Sequence, residues 1–99
     1  MSGERTWFVY IARCGDGSLY TGIALDVAAR IASHNEGRGA RYTRGRAPVE
    51  LCAKRRCASR GDALRLELAV KRLSRSDKER LIDGRRLARF ARRLLAPAL

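Results

Sequence analysis

The segment WFVYIARCGDGSLYTGI, residues 7–23, constrains the fold more than any other stretch of the chain. WFVYIAR is aromatic and β-branched, and such side chains suit a pleated, half-buried surface. CGDGS gathers glycine and aspartate, which tolerate turn angles, and LYTGI reads as a second, short strand. The pattern predicts a β-hairpin. Its register has two solutions. A turn centred on Gly15 sets Tyr10 directly opposite Tyr20 on one face, whereas a tight two-residue turn at Asp16-Gly17 does not. Two of the chain's three tyrosines therefore flank one turn. Cross-strand packing and a paired chemical role are both open to them.

Beyond the hairpin, Asp26 can cap a helix over VAARIASH that ends near Asn35 or Gly37. On that helix Val27 and Ile31 share a face, and Arg30 and His34 share a neighbouring one. NEGRGARYTRGRAP is glycine-rich and basic with no hydrophobic period, so it reads as a loop. Pro48 leads into a third strand, VELCAKRRC, with charged residues on one side. Ser59 with Asp62 opens a long helix whose apolar stripe is Leu66, Ala69, Val70 and Leu73, widened by Leu64 and Leu68. Ser76 with Glu79 reads as a capping box for a short helix to Ile82, broken at Asp83-Gly84. The remainder, RRLARFARRLLAPAL, can form a basic amphipathic helix with Leu87, Phe90 and Leu94 on one side. The order of elements predicts an α+β fold, a small antiparallel sheet with helices packed on it. At 99 residues there is room for one core. The expected division is an N-terminal arm at 1–6, the domain at 7–83 and a basic helical tail at 84–99.

Charge narrows the partners. Twenty-two Lys and Arg against ten Asp and Glu give a net charge of +12. A domain this basic suits a polyanion, most often nucleic acid, although a solvated arginine-rich surface gives the same count. MSGERTWFVYIARC lacks a long apolar stretch followed by a small-residue cleavage site, and no run approaches the roughly 18 apolar residues of a membrane span. The expectation is a soluble cytoplasmic protein with no membrane partner. The odd cysteine count, Cys14, Cys52 and Cys57, argues against a disulfide framework. Cys52 and Cys57 are spaced one residue too widely for a metal hairpin and point to opposite faces of a strand, so three free thiols are expected rather than a zinc site.

Glu67 stands out because it lies inside an apolar helix between Leu66 and Leu68. Such a carboxylate is either at the solvated edge of the stripe or held at a site. Taken singly, the other polar residues of interest also have plain readings. Tyr10 and Tyr20 can pack across strands, Arg30 can be a surface arginine, and His34 can be an exposed cation in the last helical turn, where the helix dipole favours it.

As an ordered set they say more. Phe8-Val9-Tyr10, Tyr20-Thr21-Gly22, Arg30, His34 and Glu67 resemble the GIY-YIG nuclease family, which is named for two tripeptides on a hairpin. The resemblance runs from about Trp7 to Ile82, and GRGARYTRGRAPVEL resembles the small stand-alone bacterial members. Phe8 stands where the first motif has glycine. Larger members carry a further asparagine near the end of the domain, and none follows Asn35 here.

The resemblance implies a three-stranded antiparallel sheet flanked by helices and a metal-dependent endonuclease acting on DNA, with RNA as the other candidate. A role in repair or in processing structured DNA would follow. It implies that Glu67 holds one divalent cation, Mg²⁺ or Mn²⁺, and that Arg30 binds the scissile phosphate. A single carboxylate is reasonable for Mg²⁺, which keeps several waters. Tyr10 would take the proton of the attacking water or orient it, with Arg30 and the metal favouring the phenolate. Tyr20 would position Tyr10 or the water, and His34 is the rival base or a proton shuttle. Gly22 would give the backbone room at a strand end. Arg38, Arg41, Arg44 and Arg46 on the loop suit phosphate contact, and Tyr42 among them can stack on an unpaired base or lie over the site. Two other readings remain: a non-catalytic nucleic-acid-binding module on the same fold, and an interaction protein that docks through its basic tail.

Overall fold

The computed structural model describes residues 5–97. They form β1 (Trp7–Arg13), β2 (Leu19–Ala24), α1 (Val27–Asn35), a 3₁₀ turn (Arg41–Thr43), β3 (Glu50–Cys57), α2 (Arg60–Lys71), α3 (Arg75–Leu81) and α4 (Gly84–Leu95). The sheet order is β2-β1-β3, with both pairings antiparallel. The expected α+β architecture is therefore present, and the glycine-rich loop contains one 3₁₀ turn. Of the N-terminal arm only Arg5 and Thr6 fall within the described residues, and the tail is described as far as Pro97.

The hairpin adopts neither anticipated register. Cys14 and Ser18 close a three-residue connection centred on Asp16, with the Cys14 N–H donating to the Ser18 carbonyl at 2.8 Å. The Gly17 N–H donates to the Cys14 carbonyl at 2.9 Å. The Asp16 carboxylate accepts from the Ser18 N–H and hydroxyl at 3.0 and 2.6 Å, which organises the turn. Tyr10 consequently pairs with Gly22, and Ala12 with Tyr20. The two tyrosines share a face but sit diagonally, not opposite one another.

β1 is the central strand and is covered on both sides: Val9, Tyr10, Ile11 and Ala12 are all 0% exposed. Alternation divides them. Val9 and Ile11 enter a core with Ala53, Ala63, Leu66, Val70 and Leu87. Tyr10 and Ala12 enter a second one with Cys14, Ala24, Val27 and Val49. Cys52 is an extra residue in β3, where the pairing shifts between Ile11 and Ala12.

Ser59 caps α2 by accepting from the Asp62 N–H at 3.0 Å. Ala63, Leu66 and Val70 are the buried stripe of this helix. Leu64 and Leu68 do not widen it: they are 38% and 50% exposed, because a three-stranded sheet covers only one narrow strip of the helix. The cap of α3 is Ser74, which accepts from the Asp77 N–H at 3.2 Å, and not Ser76. Glu79 is instead drawn to Arg13 in a two-point ion pair at 2.7 and 3.1 Å, which ties α3 to the end of β1. α4 begins at the Asp83 cap and places Leu87 and Ala91 in the same core as Leu66. Cys14 and Cys57 are buried free thiols, and Cys52 is a half-buried one.

Candidate active site

The site is built where α1 meets the Tyr10 face of the sheet. Asp26 starts α1 by accepting from the Ala29 N–H at 3.0 Å. Its end is closed by the Gly37 N–H on the His34 carbonyl at 3.1 Å and the Arg38 N–H on the Ser33 carbonyl at 2.9 Å. Between these caps Val27, Ile31 and His34 face the sheet, an i, i+4, i+7 stripe. His34 therefore belongs to the buried face. It is 1% exposed, which overturns its reading as an exposed cation at the helix end.

The Tyr10 hydroxyl lies 2.7 Å from His34 Nε2, and His34 Nδ1 lies 2.7 Å from Thr43 Oγ1. The Thr43 hydroxyl donates to the Ala40 carbonyl at 2.9 Å. A hydroxyl has one proton to give, so Thr43 accepts from His34 Nδ1–H. Nε2 is then left as an acceptor, and Tyr10 donates its phenolic proton to it. The Ala40 N–H, which would prefer the other tautomer, approaches Nδ1 only to 3.4 Å. The hydrogen bonds thus orient a phenol toward a basic nitrogen.

Backbone clearance holds this pair in place. A Cβ on Gly22 would come within 2.7 Å of the Tyr10 hydroxyl and 3.0 Å of the Tyr20 ring. Gly22 lies inside β2, not at a strand end, and the room it leaves is filled by the two phenols. A Cβ on Gly39 would overlap the His34 ring. Tyr20 is half-buried, with its ring centroid 6.1 Å from that of Tyr10 and 5.1 Å from that of His34.

Burial is the main cause of two opposite shifts. The Tyr10 phenol is pushed up to about 12; Tyr20 adds to the rise, and Arg30 opposes it. The expected help from Arg30 is present but burial outweighs it, so the phenol stays protonated near neutrality. His34 is held below the usual histidine value, by burial first and by the Arg30 charge second. It is neutral at pH 7, with the Nε2 lone pair directed at the Tyr10 hydroxyl.

Arg30, on α1, is half-buried and acts electrostatically on both members of the pair. Glu67 reaches the region from α2. Its side chain is 18% exposed and pairs with Lys71 Nζ at 3.2 Å, one helical turn on. Its charge is felt at Tyr10. Glu67 is thus a carboxylate at the margin of the apolar stripe, engaged by a cation and beside the phenols. Among the described residues no group of three or more His, Cys, Asp or Glu forms a metal cage. A lone, partly exposed carboxylate does fit Mg²⁺ or Mn²⁺, which can take the other ligands from water and substrate phosphate.

The basic loop is anchored at both ends. The Asn35 amide brackets Val49, donating to its carbonyl at 2.9 Å and accepting from its N–H at 2.6 Å. Tyr42 stacks on Tyr20 at 5.9 Å, and the Arg46 guanidinium lies 4.3 Å from the Tyr42 centroid. Arg46 also pairs with Asp16, and Arg38 with Glu36. Tyr42 therefore lies over the site, and Arg46 fastens it there. Arg41 and Arg44 are exposed and enter no salt bridge among the described residues. Leu19, Tyr20, Thr21, Tyr42, Lys71 and Lys78 line a cavity of about 320 Å³ beside the phenols.

Sequence reasoning missed Thr43, Gly39, Asn35 and Lys71. Thr43 and Asn35 act through partners nine and fourteen positions away and Gly39 through clearance beneath the His34 ring, which no local pattern marks. Lys71 had a local signal, its position four residues after Glu67.

A helix and a hairpin that close around a buried tyrosine–histidine pair define a small α+β domain with one polar face. The family model for the GIY-YIG catalytic domain matches residues 6–80. The chain is 47% identical over 78 residues to a UPF0213 protein of Cupriavidus pinatubonensis, covering 79% of this chain and 87% of that one. It is 49% identical over 79 residues to a UPF0213 protein of Desulfotalea psychrophila, covering 79% and 72% respectively. A solution NMR structure of a UPF0213 protein from Bacillus halodurans is similar at a TM-score of 0.53 and 42% identity, over 94% of this chain and 99% of that one. The chain belongs to the GIY-YIG family.

Proposed function

We propose that this chain is a divalent-metal-dependent endonuclease that hydrolyses phosphodiester bonds of DNA, with structured or damaged DNA as its natural target. The observation that carries the reading is the 2.7 Å contact from the Tyr10 phenol to His34 Nε2. A water placed on the Tyr10 oxygen gives up its proton as it attacks phosphorus, and Tyr10 passes its own proton to Nε2. This relay removes the need for free phenolate, which the pKa of about 12 disfavours near neutrality. Thr43 holds the His34 ring in the accepting tautomer. Tyr20 restricts where Tyr10 and the water can move. Arg30 binds the scissile phosphate and offsets the charge that grows on it.

Glu67 would hold the cation, Mg²⁺ or Mn²⁺, which when bound supplies Lewis-acid stabilisation of the phosphate and the departing oxygen. The net charge of +12 and the exposed Arg41 and Arg44 support a polyanionic substrate. No helix among the described residues is long and apolar enough to cross a membrane. A cytoplasmic location remains part of the proposal.

The test incubates purified protein with labelled single-stranded, duplex and branched DNA, and with RNA, in Mg²⁺, Mn²⁺ or EDTA. Glu67→Gln, Arg30→Ala and Tyr10→Phe run alongside. Metal-dependent cleavage that all three variants lose supports the assignment. Equal cleavage by the variants marks a contaminant and removes it. Salt-sensitive binding without cleavage by any of the four leaves the binding module.

A further inference from the structure

α4, residues Gly84–Leu95, lies beyond the stretch matched by the family model, residues 6–80. It carries five arginines and no acidic residue in the sequence GRRLARFARRLL. Its apolar side is already buried, with Leu87 0% and Ala91 2% exposed. At 100° per residue, Arg85, Arg89, Arg92 and Arg93 fall on the opposite, outward side. All four are exposed, and none enters a salt bridge among the described residues. Arg92 meets Arg55 and Arg56 of β3 at the walls of a cavity of about 320 Å³. β3 is the sheet edge opposite β2, the strand that carries Tyr20 and Gly22.

We infer that this α4–β3 face is a second nucleic-acid contact surface, one that grips phosphodiester backbone away from the cleavage site. The inference rests on the nucleic-acid substrate proposed above. Charge on an edge strand also discourages strand-to-strand aggregation, which would explain Arg55 and Arg56. It does not explain a continuous arginine row on a helix. An acidic membrane is the weaker partner, because an interfacial helix inserts its apolar side and here that side is occupied by the core. Arginine, with its planar fork of donors, matches phosphate oxygens in pairs. From Arg85 to Arg92 the rise is about 10 Å, enough to touch successive phosphates along one strand.

The experiment measures binding of fluorescent duplex DNA by anisotropy from low to moderate NaCl, in EDTA, on a Glu67→Gln background so that nothing is cut. Arg89→Gln/Arg92→Gln/Arg93→Gln is compared with Arg65→Gln/Arg72→Gln/Arg80→Gln, which removes the same charge from α2, the cap that follows it and α3. Thermal melts check that both remain folded. The α4 variant is expected to bind more weakly and to lower the slope of log Kd against log salt by about 3, one for each phosphate no longer neutralised. The control is expected to lower it by less than about 1. Equal changes in both variants would reduce the effect to net charge and overturn the inference. An unchanged slope in the α4 variant would overturn it as well. Loss of binding to phosphatidylglycerol vesicles with DNA binding intact would assign the surface to a membrane instead. Because cleavage is not read, a protein that binds through α4 but never cuts would sink the nuclease reading alone.

Discussion

The two faces of the same central strand are put to different uses. On one, Val9 and Ile11 meet Leu66, Val70 and Leu87 in an apolar core. On the other, the Tyr10 hydroxyl meets His34 at 2.7 Å, His34 meets Thr43 at 2.7 Å, and the Tyr20 ring packs beside both rings. The strand is buried on both faces, but their energetics differ in kind. The apolar face gains from every group removed from water. The polar face gains little net free energy but loses heavily if one partner is taken away. No buried side-chain N or O among the described residues lacks a hydrogen-bond partner, as that asymmetry requires. The apolar face sustains the fold, and the opposite face can carry chemistry because α2, α3 and α4 stabilise it from behind.

Substitutions on the two faces should therefore leave opposite signatures. The largest effects are expected from Arg30→Ala and Glu67→Gln, each with a loss of about 100- to 1,000-fold in cleavage rate and an unchanged melting temperature. If either variant instead unfolds while the residual folded protein cuts at full rate, the polar face is structural. Leu66→Ala should behave in the opposite way. It should cost about 2–5 kcal/mol in urea unfolding while activity per folded molecule stays near normal. Gly22→Ala places a methyl 2.7 Å from the Tyr10 hydroxyl and must displace it. We expect about a 100-fold drop in rate with a modest stability loss; full activity would show that the position of Tyr10 does not matter.

A smaller effect concerns pH. The folded-state pKa of His34 is depressed below its ordinary 6.5. Between the two values the unfolded chain binds the extra proton and the folded chain does not. The His34 contribution is therefore present above about pH 6.5 and is lost as pH falls through the depressed folded value. Urea titrations at pH 7.5 and 5 should show wild type losing more stability on acidification than His34→Gln. An identical loss would mean that the imidazole is not buried neutral. The smallest effect is Leu68→Lys, within about 0.5 kcal/mol because the side chain is 50% exposed. A cost of several kcal/mol would return Leu68 to the core.

Much of this was legible in the order of residues. The hairpin, the capped α1, the third strand and α2 all announce themselves through propensity, capping and period. Tyr10, Tyr20, Gly22, Arg30, His34 and Glu67 were legible as an ordered set. Their roles were less so. The burial of His34 was available in the i, i+4, i+7 spacing from Val27, but its polarity suggested solvent. Leu64 and Leu68 show the reverse error: apolar character suggested core, and the width of the sheet left them outside. Ser76 with Glu79 matched a capping pattern, yet Ser74 caps and Glu79 pairs with Arg13. A local motif predicts a local bond, and a stronger distant partner can take it.

By itself, then, the sequence determined the elements and their order, which depend on neighbours a few positions away, and the net charge, which depends on composition alone. Tertiary structure decided the hairpin register at Asp16, the tautomer of His34, the direction of the Tyr10 shift and the covering of Tyr20 by Tyr42. The register follows from the Cys14–Ser18 closure and the Asp16 side chain; the others depend on groups that meet only in the folded chain, Thr43 against His34, Gly39 beneath its ring and Arg46 on Tyr42. Hydrogen-bond direction and desolvation are properties of a closed environment, and an environment exists only once the chain has folded.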